Sequence, residues 1–176
     1  ASSAGNHAQG VALAASEYGV KATICMPSNA PLSKIDATRS YGADVVLAGD
    51  FYSDAYDKAC ELEKEKGLTF CHPFNDPLVI AGQGTIALEI LEDVPETDVI
   101  VVPIGGGGLI SGIAVAAKAI KPSVRIVGVQ TAGMPSMKVS VEDDKLTTVP
   151  SHKSLADGIT VGTPGDVTFE LVKKYV

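Results

Sequence analysis

Apolar and polar positions along the chain alternate between two periods. Ala-rich apolar positions recur at helical spacing over residues 6–18, and Gly19 follows as a natural C-terminal stop. Residues 21–26 then read as a strand. The pair repeats as a helix over 31–41 closed by Gly42, a strand over 44–48, a charged-faced helix over 53–66 closed by Gly67, and a short strand over 68–71. After a loop with two prolines at 72–77, residues 78–92 return to helix. A second strand-helix-strand set covers 99–104, 109–120 and 124–129. The periodicity fades over 131–153 into loop and short helix, and a last helix starts near Asp166. Strands alternating with helices of this length predict an α/β fold with parallel sheets and right-handed crossovers.

Four consecutive glycines, Gly105 to Gly108, stand where the strand over 99–104 gives way to the next helix. Glycines let the backbone bring N–H groups close to a ligand, and the helix that follows aims its positive end at an anion. The run does not match the dinucleotide G-x-G-x-x-G register, nor a P-loop, since Ile113 follows Gly112 where a lysine belongs. It suits a small phosphorylated cofactor, or else a tight turn without ligand. A second turn, Ser2-Ser3-Ala4-Gly5-Asn6-His7, opens the first helix with two hydroxyls, an amide and an imidazole. It reads either as ordinary capping or as a carboxylate or phosphate site. A phosphate turn and a carboxylate turn in one chain are what an enzyme handling amino acids with a phosphorylated cofactor requires.

Composition narrows the picture. The 176 residues are 45 % hydrophobic, only 5 % aromatic, and carry a formal charge of −7 with scattered Lys and Arg. That balance suits parallel β/α packing and offers no basic stripe, so neither nucleic acid nor an anionic membrane is an expected partner. Apolar runs stop well short of the ~18 residues that span a bilayer, and a cytoplasmic location is expected. Cys25, Cys60 and Cys71 lack metal or redox spacing and read as reduced structural thiols, and His7, His72 and His152 show no ligand spacing, so no metal is expected.

The turn S-S-A-G-N-H-A-Q-G, then A-G-Q-G-T at 81–85, P-I-G-G-G-G-L at 103–109 and A-D-G at 156–158 occur in the order found in the threonine/serine dehydratases, the catabolic type above all. The chain resembles these fold-type II pyridoxal-phosphate (PLP) enzymes, tryptophan synthase β-like in architecture and related to serine racemase. The resemblance implies that Gly105, Gly106, Gly107, Gly108 and Leu109 hold the cofactor phosphate, that Asn6 meets its phenolic oxygen, and that Ser3, Asn6 and His7 grip the substrate carboxylate. Gly158 matches a glycine beside the cofactor ring; read alone, Asp157-Gly158 is equally a simple turn. The implied activity is a lyase reaction, L-threonine or L-serine to 2-oxobutanoate or pyruvate and ammonia, in isoleucine biosynthesis or threonine catabolism. Relatives of this kind are homodimers or tetramers.

Two departures favour elimination over racemisation. Racemases of the family carry a serine directly before the Gly-Asn pair as a second base, where this chain has Ala4, and an acid of their cation site is here Gln130. The family's Schiff-base lysine lies in an S-F-K-x-R-G motif upstream of the opening turn. No catalytic residue is therefore assigned within the chain, and the chain by itself is expected to be inactive. It is expected to be the central fragment of a larger protein, incomplete at both ends: residues 1–75 a smaller substrate-clamping lobe missing its first strand, and 76–176 part of a larger lobe that binds the PLP phosphate. A non-catalytic module binding a phosphorylated ligand or amino acid, and a serine racemase fragment, are the alternatives.

Overall fold

Helices and strands alternate as the periodicity predicts, with each named strand one or two residues shorter than expected. The computed structural model describes residues 1–150, 152 and 154–176, so positions 151 and 153 of the 131–153 stretch lie outside the described residues. The chain divides into two units, Ala1–Pro73 and Phe74–Val176.

In the first unit, α1 (Asn6–Glu17), β1 (Thr23–Met26), α2 (Leu32–Ser40), β2 (Asp44–Leu47) and α3 (Tyr52–Lys66) follow in order. β1 and β2 are parallel, with Thr23 opposite Asp44 and Met26 opposite Leu47. Successive side chains of β1 leave on opposite faces. Ile24 and Met26 pack with Ala8, Ala12 and Ile35 of α1 and α2, while Cys25 packs with Ala55, Ala59 and Leu62 of α3. Burying β1 on both faces makes it the spine of this unit. Gly67 closes α3 in the left-handed conformation at φ 62°, which spares a side chain the steric cost. All three cysteines are free thiols, and burial pushes the Cys25 thiol up.

The expected strand over 68–71 does not form. A strand needs a neighbour for its N–H and C=O groups. The free edge of β1 is instead met by the opening residues: Ser2 bridges Cys25 in parallel, Cys25 N–H donates to Ala1 O (2.9 Å) and Ser3 N–H to Cys25 O (3.2 Å). Leu68 N–H turns back to Glu63 O at 3.0 Å, and Cys71 O pairs with a side chain described below.

The second unit runs α4 (Pro77–Asp93), β3 (Val99–Pro103), α5 (Gly108–Ile120), β4 (Arg125–Val129), α6 (Ser136–Glu142), a 3₁₀ turn (Asp157–Ile159) and α7 (Asp166–Tyr175). Asp76 caps α4, its carboxylate accepting from Leu78 N–H (2.7 Å) and Val79 N–H (3.3 Å), with Pro77 at the first helical position, where its missing N–H costs nothing. β3 and β4 are parallel, Val99 opposite Arg125 and Pro103 opposite Val129. The core joins Ile100 and Val102 of β3 to Ala87 and Leu91 of α4, Ile110, Ile113, Ala114 and Ala117 of α5, Ile126 of β4, and Phe169 and Val172 of α7. No helix among the described residues is long and apolar enough to cross a membrane.

Candidate functional site

Helices α5 and α1 begin in the same way. α5 starts from Gly107 and α1 from Gly5, neither of which has a side chain to cap the first turn. In α5 the first intrahelical bond runs from Ser111 N–H to Gly107 O (3.0 Å), so the N–H groups of Gly108, Leu109 and Ile110 precede it. In α1 the corresponding bond runs from Gln9 N–H to Gly5 O (3.5 Å), leaving Asn6, His7 and Ala8 in the same position. Each helix thus presents amide donors and the positive end of its dipole at a turn without a capping side chain.

The glycine loop of the second unit is closely built. Gly106, Gly107 and Gly108 are buried. A Cβ at Gly106 would collide with the Phe74 ring, one at Gly108 would lie 2.8 Å from Phe74 Cα, and one at Gly107 would lie 2.6 Å from Met137 Cε and 2.7 Å from Thr168 Cβ. Gly107 also sits at φ 100°, a region that favours glycine. Only glycines let the chain run this close to its own neighbours. A Cβ at Gly105 would lie 3.3 Å from Ile159 Cα, which seats the 3₁₀ turn carrying Gly158 beside the loop. At Gly158 itself a Cβ would meet nothing within 4 Å, so the protein's own packing gives no reason for glycine there.

In the first unit, Ser3, Asn6 and His7 share one turn. Ser3 Oγ accepts from Gly5 N–H at 3.1 Å, which leaves the hydroxyl proton available to an anion, and the Asn6 amide is exposed. His7 Nε2 lies 3.0 Å from Cys71 O. A carbonyl only accepts, so Nε2 carries the proton and Nδ1 is an acceptor in the neutral ring. The neutral imidazole therefore braces the turn, and it is the His7 backbone N–H that faces the helix start as a donor.

Burial holds the His7 pKa below its usual value, opposed by the bond to Cys71. The unfolded chain then binds the proton more readily in the window between the lowered folded value and about 6.5. Stability from this group is complete above that window and is lost as pH falls through it. We expect the urea midpoint of the complete gene product to drop between pH 7.5 and pH 5.5, and the drop to shrink in His7→Gln. An unchanged drop in that variant would remove His7 as its cause.

Sequence reading found the glycines but missed the residues that pack on them. Phe74 sat in a loop between prolines, and Thr168 just inside the helix expected to start near Asp166. Asn75 was likewise missed: its Nδ2 donates to Asp166 Oδ1 (2.6 Å) and its Oδ1 accepts from Val167 N–H (3.1 Å), joining the loop before α4 to the first turn of α7.

A family profile described as "Pyridoxal-phosphate dependent enzyme" matches residues 1–176. The chain belongs to this family. It is similar to L-threonine ammonia-lyase of Thermotoga maritima, 58 % identical over 176 residues, which is 100 % of this chain and 44 % of that protein. Among solved structures it is similar to the processed form of threonine deaminase isoform 2 from Solanum lycopersicum (TM-score 0.95, 42 % identity, 99 % of this chain and 48 % of that one). It is similar to the same degree to maize serine racemase (TM-score 0.95, 42 % identity, 99 % and 53 %). The chain spans about half the length of the curated relatives it matches. These likenesses establish the fold-type II α/β architecture expected from the motifs, and with it a cofactor, PLP, on which the family depends.

The glycine loop fits that cofactor's phosphate. Its buried turn leaves no space for side chains, and the amides of Gly108, Leu109 and Ile110 precede the first helical bond. Such a set of donors suits an oxyanion held by backbone alone.

Proposed function

We propose that the complete protein is a PLP-dependent ammonia-lyase that converts L-threonine to 2-oxobutanoate and L-serine to pyruvate, releasing ammonia. The observation that carries this reading is the side-chain-free glycine loop opening α5, in a chain 58 % identical to an L-threonine ammonia-lyase. In this reading Gly105 to Gly108 and Leu109 hold the cofactor phosphate, Asn6 meets the phenolic oxygen, and Gly158 lies beside the ring. Ser3, Asn6 and the His7 amide receive the substrate carboxylate, so that residues 1–75 act as the substrate-clamping lobe and 76–176 as the phosphate-binding lobe.

When bound, PLP supplies a conjugated electron sink for the electron pair left as the substrate's α-proton departs. The chain's own work is positional. Backbone N–H groups neutralise two anions without spending a charged side chain, and both are fixed at helix starts, so little reorganisation is needed on binding. The His7 ring keeps the first turn in place through Cys71. The same reading expects a cytoplasmic homo-oligomer acting on small amino acids.

The complete gene product, assayed with L-threonine, should release 2-oxobutanoate and ammonia in equal amounts. Stripping PLP should abolish the release and adding it back should restore it. No oxo acid from either L-threonine or L-serine would end the proposal. The likeness to maize serine racemase supports a second reading, racemisation. Ala4 stands where the racemase reading needs a second base, so D-serine should form more slowly than pyruvate, and the reverse order would favour the racemase.

A further inference from the structure

We propose that Thr168 is a positioning residue for the phosphate cradle, setting through the Gly106 carbonyl the direction in which the Gly107 N–H points; this rests on the cofactor reading above. Thr168 lies on α7 and is fully buried. Its Oγ1 donates to Gly106 O at 2.6 Å and lies 3.1 Å from Gly165 O. A buried helical threonine can satisfy its hydroxyl on the preceding turn alone, and Gly165 O offers that partner. The shorter bond instead goes to the glycine loop, 62 residues earlier in the chain.

The Gly106 carbonyl takes a second bond from Gly165 N–H at 3.2 Å. No peptide bond among the described residues is cis, and in a planar trans peptide the C=O and the next N–H point to opposite sides. Two donors from the start of α7 on the Gly106 oxygen therefore turn the Gly107 N–H away from α7. Thr168 Oγ1 also lies 2.7 Å from the place a Gly107 Cβ would take, so α7 runs directly against the loop at this residue. The anchor is itself held, since Asn75 ties Asp166 and Val167 to the segment whose Phe74 covers Gly106 and Gly108. The direction of a loop amide is thus fixed by a side chain that need not touch the anion.

The test uses the apo form of the complete gene product and compares PLP with pyridoxal, the same ring without the phosphate, by fluorescence titration. Thr168→Val should raise the Kd for PLP by about tenfold or more while moving that for pyridoxal less than about twofold, and Thr168→Ser should restore PLP binding. Equal losses for both ligands would mean that the hydroxyl only supports the fold, and wild-type PLP affinity in Thr168→Val would also overturn the proposal. If the wild-type protein binds neither ligand, the cofactor reading itself falls and takes this one with it. Should Thr168→Val not fold, hydrogen exchange on the wild-type protein decides. PLP, but not pyridoxal, should slow the Gly107 amide and the first turn of α7 together, and slowing confined to the loop would refute the coupling.

Discussion

Gly107→Ala is expected to strip PLP from the complete protein and to destabilise its second unit. Gly107 sits at φ 100°, where an alanine side chain crowds its own backbone at a cost of roughly 1–2 kcal/mol. The new Cβ would lie 2.6 Å from Met137 Cε and 2.7 Å from both Cβ and Oγ1 of Thr168. Met137 can swing its terminal methyl, but Thr168 Cβ is fixed to the backbone of α7, and both residues are fully buried. Overpacking of this kind adds about 1–3 kcal/mol. Relief requires the loop to move, and the amides of Gly108, Leu109 and Ile110 move with it. We expect the urea midpoint to fall by the equivalent of about 2–4 kcal/mol and the Kd for PLP to rise by about 100-fold or more. Gly158→Ala is the matched control for packing, because a Cβ there meets nothing within 4 Å and stability should stay within about 0.5 kcal/mol. A Gly107→Ala protein with wild-type stability and cofactor affinity would show that the loop adapts freely and does not form a rigid cradle.

The contrast between what sequence showed and what it did not follows from the range of each interaction. The helices and four strands were legible because periods of 3.6 and 2 are local, and the glycine run was legible because strand, glycines and helix are adjacent in the chain. The strand expected over 68–71 failed because pairing is not local: the edge it would need is met by Ala1 to Ser3. Phe74 and Thr168 gave no signal for the same reason. An aromatic in a proline loop and a threonine in the first turn of a helix are ordinary locally, and only the fold brings one over Gly106 and the other's hydroxyl to its carbonyl. The state of His7 was equally hidden, since the carbonyl that fixes its proton belongs to Cys71, 64 residues away. A motif can announce a ligand, but the residues that hold the motif in shape come from wherever the chain returns.

That dependence on distant support extends to the rear of the cradle, where Gly112→Ala should destabilise the protein although glycine to alanine in a helix is ordinarily favourable by up to about 1 kcal/mol. A Cβ at Gly112 would run into Ile80 O and lie 2.7 Å from Gly84 N and 2.9 Å from Gln83 Cβ. Two of these are backbone atoms of α4, so the clash is relieved only by separating α4 from α5. Gly84→Ala meets the same interface more gently, with Gly112 O at 3.1 Å and Ala116 Cβ at 3.4 Å, and its packing strain should nearly cancel its helix-propensity gain. We expect Gly112→Ala to cost about 2–4 kcal/mol in urea unfolding and Gly84→Ala less than about 1 kcal/mol. Because α5 carries the glycine loop at its start and Phe74 lies two residues before Asp76, the cap of α4, prising the helices apart should also shift Phe74 against Gly106 and Gly108. Gly112→Ala should therefore weaken PLP binding one helical turn away from the cradle. Equal stability losses in the two variants would mean that the helices yield at either glycine alike, and would remove the close backbone approach as the reason for glycine at position 112.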